Sequence, residues 1–109
     1  MHNQTLSIDG VRVPWFLYGT AWKKRKTQRL TESALRQGFR GIDTANQRRH
    51  YDEAAVGRAI ALSIENGLLA REDLFLQTKF TFQRGQDHRL PYDPRATTLH
   101  TFNISLKYL

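Results

Sequence analysis

Apolar and polar residues alternate at Leu6-Ser-Ile8 and again at Val11-Arg-Val13, on either side of Asp9-Gly10. That pattern predicts a β-hairpin closed by a two-residue type I′ turn. Pro14 ends the hairpin, and Trp15-Phe-Leu-Tyr-Gly19 reads as a short buried strand. Thr27 suits a helix cap, Leu30, Ala34 and Leu35 follow at helical spacing, and Gly38 suits the position just past the helix end. The next strand, 39–44, is nearly continuous in apolar character up to Asp43. Asp52 can cap a second helix carrying Val56, Ala59, Ile60 and Ile64 on one face, with Asn66-Gly67 closing it. A further strand, 74–80, carries Lys79 near its end. After a long loop, 81–93, a third helix is predicted from Pro94, with Leu99, Phe102, Ser105-Leu106 and Leu109 on one side. A hairpin followed by βαβαβα implies a parallel sheet with right-handed crossovers.

Composition narrows this picture. A length of 109 residues suits one domain, and the absence of cysteine excludes disulfides, thiolate metal sites and a cysteine nucleophile. No apolar run approaches the roughly 20 residues that cross a bilayer, and the N-terminus lacks a signal-peptide pattern. A cytoplasmic protein without a membrane partner is the expectation. The net charge of +7 is concentrated in Lys23-Lys24-Arg25-Lys26 and Arg48-Arg49. Such clusters can grip phosphates or lie in solvated loops. No nucleic-acid-binding motif accompanies them, so nucleic acid is not expected as a partner. Neither a Gly-x-Gly-x-x-Gly fingerprint nor a P-loop is present.

In a parallel βα array all strand C-termini share one face. Asp43 and Lys79 lie at such ends, and adjacent strands about 4.8 Å apart would let them meet. An Asp–Lys pair buried there would be costly unless well hydrogen-bonded, which favours a functional reason for it. Tyr51, at the entrance to the second helix, belongs to the same face. A neighbouring ammonium would stabilise its phenolate, making it a proton donor to a developing alkoxide. Each residue also has an ordinary structural reading: a loop hydrogen-bonder, a solvated lysine, a hydrophobic staple. His88, in the long loop, is a further candidate with the same ambiguity.

Tyr18-Gly-Thr-Ala-Trp22, Gly38-Phe-Arg-Gly-Ile-Asp-Thr-Ala45, Tyr51 with Glu53, Val56-Gly57 and Leu74-Phe-Leu-Gln-Thr-Lys79 together resemble the aldo/keto reductases. The resemblance covers nearly the whole chain. It implies a (β/α)₈ TIM barrel of which residues 1–109 are the N-terminal third, a hairpin and about three βα units. It further implies NADPH-dependent, metal-free reduction of a small-molecule carbonyl. Tyr51 would be the proton donor, tuned by Lys79 and Asp43. Gly19, Thr20, Ala21, Trp22 and Asp43 would lie near the nicotinamide.

Two departures stand out. The family's tyrosine follows the aspartate by five residues, whereas Tyr51 follows Asp43 by eight, across a lengthened loop 46–50 in which His50 is a substitute acid. Also, a barrel takes at least about 200 residues. The expectation is therefore a truncated barrel, inactive alone and open to association through bare sheet edges. The alternatives are a non-catalytic βα protein that binds a polyanion through Lys23–Lys26 and Arg48-Arg49, and a half-barrel completed by another chain.

Overall fold

Asp9 and Gly10 both take left-handed backbone, φ 50° and 79°. These are the values a type I′ turn requires, and the turn fixes the hairpin register. In a computed structural model, which describes residues 4–81, 89 and 98–109, β1 (Thr5–Ile8) pairs antiparallel with β2 (Val11–Pro14). The chain continues through β3 (Tyr18–Gly19), α1 (Thr27–Arg36), β4 (Gly41–Asp43), α2 (Glu53–Glu65), β5 (Phe75–Gln77) and α3 (Thr98–Tyr108). The parallel sheet has the order β3-β4-β5, as the βαβαβ pattern demands.

Register sets what each face holds. Tyr18, Ile42 and Leu76 form one row across the sheet, and Gly19, Asp43 and Gln77 form the next. Successive residues on a strand point to opposite faces, so the two rows serve opposite sides. The first row meets the core, in which Ile42 packs with Leu35 of α1, Val56 and Ile60 of α2, and Leu69. Side chains of this size stabilise by about 1.5–3 kcal/mol each when fully buried. The second row faces away from the helices and carries the candidate chemistry. At the other end of the strands, Pro14 and Leu17 close over Gly41, where a Cβ would collide with the Leu17 side chain.

Several expectations are corrected. The buried strand over 15–19 shortens to β3, and Trp15 and Phe16 are exposed. As an edge strand β3 is covered less than β4, in which Gly41 and Ile42 are buried. Thr27 is the first residue of α1 rather than its cap. Its hydroxyl donates back to the Lys24 carbonyl, 2.7 Å away, within a 3₁₀ turn at Lys24–Lys26. The last strand ends at Gln77, so Lys79 extends from the segment beyond it. α3 buries Ser105 and sets Leu109 against the core while Phe102 and Leu106 remain exposed. Ser105 and Leu109 belong to the expected face, and the polar partner of Ser105 described below turns the helix so that Phe102 and Leu106 fall outside the contact. His88, and residues 94–97 of the third predicted helix, lie outside the described residues. Three strands among the described residues form an open sheet, not a closed barrel. No helix among them is long and apolar enough to cross a membrane.

Candidate active site

The row Gly19–Asp43–Gln77 brings strand ends together, and the chain beyond them stays laced. Thr20 N–H donates to the Asp43 carbonyl at 3.1 Å, Thr44 N–H to Gln77 at 2.8 Å and Asn46 N–H to Lys79 at 3.0 Å. Asp43 therefore sits at the end of the central strand with a neighbour on each side.

Its carboxylate is held on both oxygens. Lys79 Nζ lies 2.7 Å from Oδ1 and 2.8 Å from Oδ2, and Gln77 Nε2 donates to Oδ1 at 2.7 Å. Gln77 and Lys79 are two residues apart, so a locally extended chain presents both to the same side. The expectation of a buried ion pair is not met: Lys79 is 42% exposed and Asp43 20%. Desolvation cost therefore supplies no argument for function here, since exposed pairs contribute only about 0–1 kcal/mol. Geometry supplies one instead. The same ammonium stands 5.2 Å from the centroid of the Tyr51 ring, within cation–π range.

Tyr51 arrives there because the lengthened loop folds back on itself. Gln47 accepts from His50 N–H through its side chain at 2.9 Å and from Tyr51 N–H through its carbonyl at 3.0 Å. Asp52 then caps α2 by accepting from Ala55 N–H at 3.0 Å. His50, the alternative acid, stacks on Trp22 with ring centroids 4.0 Å apart, and its carbonyl accepts from Trp22 N–H at 2.7 Å. Trp22 takes a left-handed φ of 63°, unusual for a bulky residue. Trp22, His50 and Tyr51 share the wall of an open cleft of about 280 Å³. Tyr18, the phenol on β3, is instead pushed above its ordinary pKa by burial, which keeps it neutral.

The residues expected near a nicotinamide divide in two. Thr20 is fully buried and its hydroxyl donates to the Asp43 carbonyl at 2.8 Å, so it braces the strand ends. Gly19 and Trp22 are exposed and Ala21 and Asp43 partly so. A Cβ built on Gly19 meets nothing within 4 Å, leaving open space over the end of β3 beside Asp43.

Gln77 and Glu53 join the site through bonds that the sequence pattern does not announce. Glu53 is 7% exposed and accepts from Ser105 Oγ at 2.9 Å and Asn46 Nδ2 at 3.3 Å, and from the Thr78 hydroxyl. One buried carboxylate thus joins the start of α2, the residue before Lys79, the loop after Asp43, and α3. The two-residue offset from Lys79 could have found Gln77. Nothing in the sequence pairs Glu53 with Ser105.

No protein-family model matches the chain. It is 34% identical to a horse aldo-keto reductase family 1 member C23-like protein over 104 residues, covering 90% of this chain and 32% of that protein. The silkworm aldo-keto reductase AKR2E4 is 38% identical over 81 residues, covering 65% of this chain and 25% of that protein. The crystal structure of that silkworm enzyme in complex with NADP superposes with a TM-score of 0.66 at 32% identity, over 73% of this chain and 28% of that one. A second aldo-keto reductase, AKR2E5 complexed with NADPH, matches with a TM-score of 0.60 at 29% identity, over 69% of this chain and 25% of that one. The chain thus spans between a quarter and a third of the length of these relatives.

Proposed function

From its likeness to aldo-keto reductases over the stretch it shares with them, we propose that the chain belongs to that family and carries the proton-donating corner of an NADPH-dependent carbonyl reductase. On this reading residues 1–109 are the N-terminal third of the reductase domain, and the hairpin and three βα units begin a (β/α)₈ barrel. The observation that carries the proposal is the double engagement of Lys79, bound to both oxygens of Asp43 and set against the ring of Tyr51.

Gly19, Trp22 and Asp43 are the residues that would hold the nicotinamide end of the cofactor. The open space over Gly19, beside an exposed indole, fits a flat ring lying against the strand end. When bound, NADPH supplies the hydride that reduces the carbonyl carbon. Tyr51 Oη gives its proton to the carbonyl oxygen, and Lys79 Nζ stabilises the negative charge left on the phenolate. Asp43 and Gln77 fix the place of that ammonium and keep it from swinging into solvent. The 109 residues by themselves are expected to be inactive, because the three-stranded sheet of the described residues does not close into a barrel.

The test is carbonyl-dependent NADPH oxidation by the complete protein and its Lys79→Met variant. The variant is expected to lose turnover by about a hundredfold or more while still binding NADPH. Unchanged turnover would remove Lys79 from the mechanism. The second reading, a polyanion binder without catalysis, draws support from the gathering of Lys24, Arg25, Arg48 and Arg49 around one cleft. On that reading the wild-type protein would show no carbonyl-dependent oxidation at all.

A further inference from the structure

Two basic clusters, more than twenty positions apart in the sequence, converge on one place. Lys24 and Arg25 follow β3, and Arg48 and Arg49 lie in the lengthened loop before α2. All four line the same open cleft of about 280 Å³ that is walled by Trp22, His50 and Tyr51. Asp52 is the one acid in that lining, and its side chain already accepts from Ala55 N–H as the cap of α2. Among the described residues none of the four cations is in an ion pair; the pair found there is Lys79 with Asp43. Lys23, by contrast, turns away, its ammonium 5.9 Å from the centroid of the Tyr18 ring.

Four cations around a concave, aromatic-walled site, none of them in an ion pair among the described residues, raise the local concentration of anions. Arg48 and Arg49 add planar forks that match a carboxylate or phosphate on two donors at once. Lys24 holds a left-handed φ of 49°, as Trp22 does at 63°. Non-glycine residues in that region persist where the surrounding structure holds them, and such residues cluster at ligand sites. The stack of Trp22 on His50 and the bond from Trp22 N–H to the His50 carbonyl join the two basic loops into one wall.

We propose that this cleft is an anion site that gives the protein its preference for carbonyl substrates bearing a carboxylate or phosphate group. The substrate preference rests on the reductase reading, whereas the anion site does not. The aromatic wall would take the body of the substrate and the four cations its charged end, with the carbonyl directed to Tyr51.

Two measurements on the complete protein test this. The first compares kcat/KM for para-carboxybenzaldehyde with that for neutral para-formylbenzamide, and for glyceraldehyde phosphate with that for glyceraldehyde. The wild-type protein should prefer the charged member of a pair, and added salt should erode the preference. A preference in only one pair identifies which anion the site serves. In R48Q/R49Q the charged-to-neutral ratio should fall about tenfold, the scale of a lost charged hydrogen bond. An unchanged ratio would overturn the proposal. So would weakened NADPH binding with the ratio intact, since the cations would then serve the cofactor's own phosphates.

The second is calorimetric binding of terephthalate, a dicarboxylate that cannot be reduced. Binding by wild type that weakens about tenfold in R48Q/R49Q supports the anion site. No binding at millimolar terephthalate overturns it, even in an active reductase. Binding without turnover of any aldehyde keeps the anion site and discards the reductase reading. Tight heparin binding that excludes terephthalate and is lost in the variant would overturn the small-molecule proposal in favour of a macromolecular polyanion.

Discussion

On the reductase reading, Lys79 can serve Tyr51 because it is not buried. Its ammonium is oriented by Asp43 and Gln77 yet reaches the ring of Tyr51 across a partly open site. An exposed pair of this kind adds little to stability. Asp43→Asn should therefore change the folding free energy by less than about 1 kcal/mol while reducing turnover much as Lys79→Met does. Denaturant titration set beside kinetics checks this, and a large stability loss with turnover intact would make the pair structural. Asp43 and Lys79 were legible in the sequence because strand ends of a parallel sheet share one face. The exposure of the pair was not legible, since it depends on how far each strand actually runs.

The helices were the elements best read from sequence. α2 is flanked by Asp52 and Asn66 as its caps, and its apolar residues keep helical spacing. For α3 the helix itself and the inward Ser105 and Leu109 agree with the expected face, while Phe102 and Leu106 stay exposed because the docking is set by contacts that the apolar pattern does not contain. Ser105 bonds to Glu53, and the end of α3 lies directly on Gly57, where a Cβ would collide with the Tyr108 carbonyl oxygen. This makes Gly57→Ala a test with a definite sign. In an exposed helix interior the change stabilises by about 1 kcal/mol. Here it should destabilise by about 1–3 kcal/mol in chemical denaturation, because α3 must shift. Stabilisation instead would mean that α3 does not dock there. Glu53→Ala leaves the buried hydroxyl of Ser105 and the partly buried hydroxyl of Thr78 without their acceptor, at a cost of about 1–3 kcal/mol for the buried group. It should also lower turnover by shifting Thr78, the residue before Lys79. A loss of stability without any loss of turnover would show that the cluster does not position Lys79.

At the scale of the whole molecule the sheet has one interior strand. Ile42 on β4 is fully buried, whereas β3 and β5 lie at the edges of the described sheet. In the 109 residues alone, native-state hydrogen exchange should find amides of β4 and α2 most protected and those of the hairpin and β3 least. Uniform protection across the hairpin and sheet would contradict that order. The βαβαβ topology followed from the alternation of strand and helix signals, and the three parallel strands match it. Whether this sheet end delivers a proton from Tyr51 is decided by Tyr51→Phe in carbonyl-dependent NADPH oxidation, with NADPH affinity measured in parallel. Turnover should fall by about a hundredfold or more at unchanged affinity. Wild-type turnover in that variant, together with its loss in His50→Gln, would contradict this and make His50 the donor.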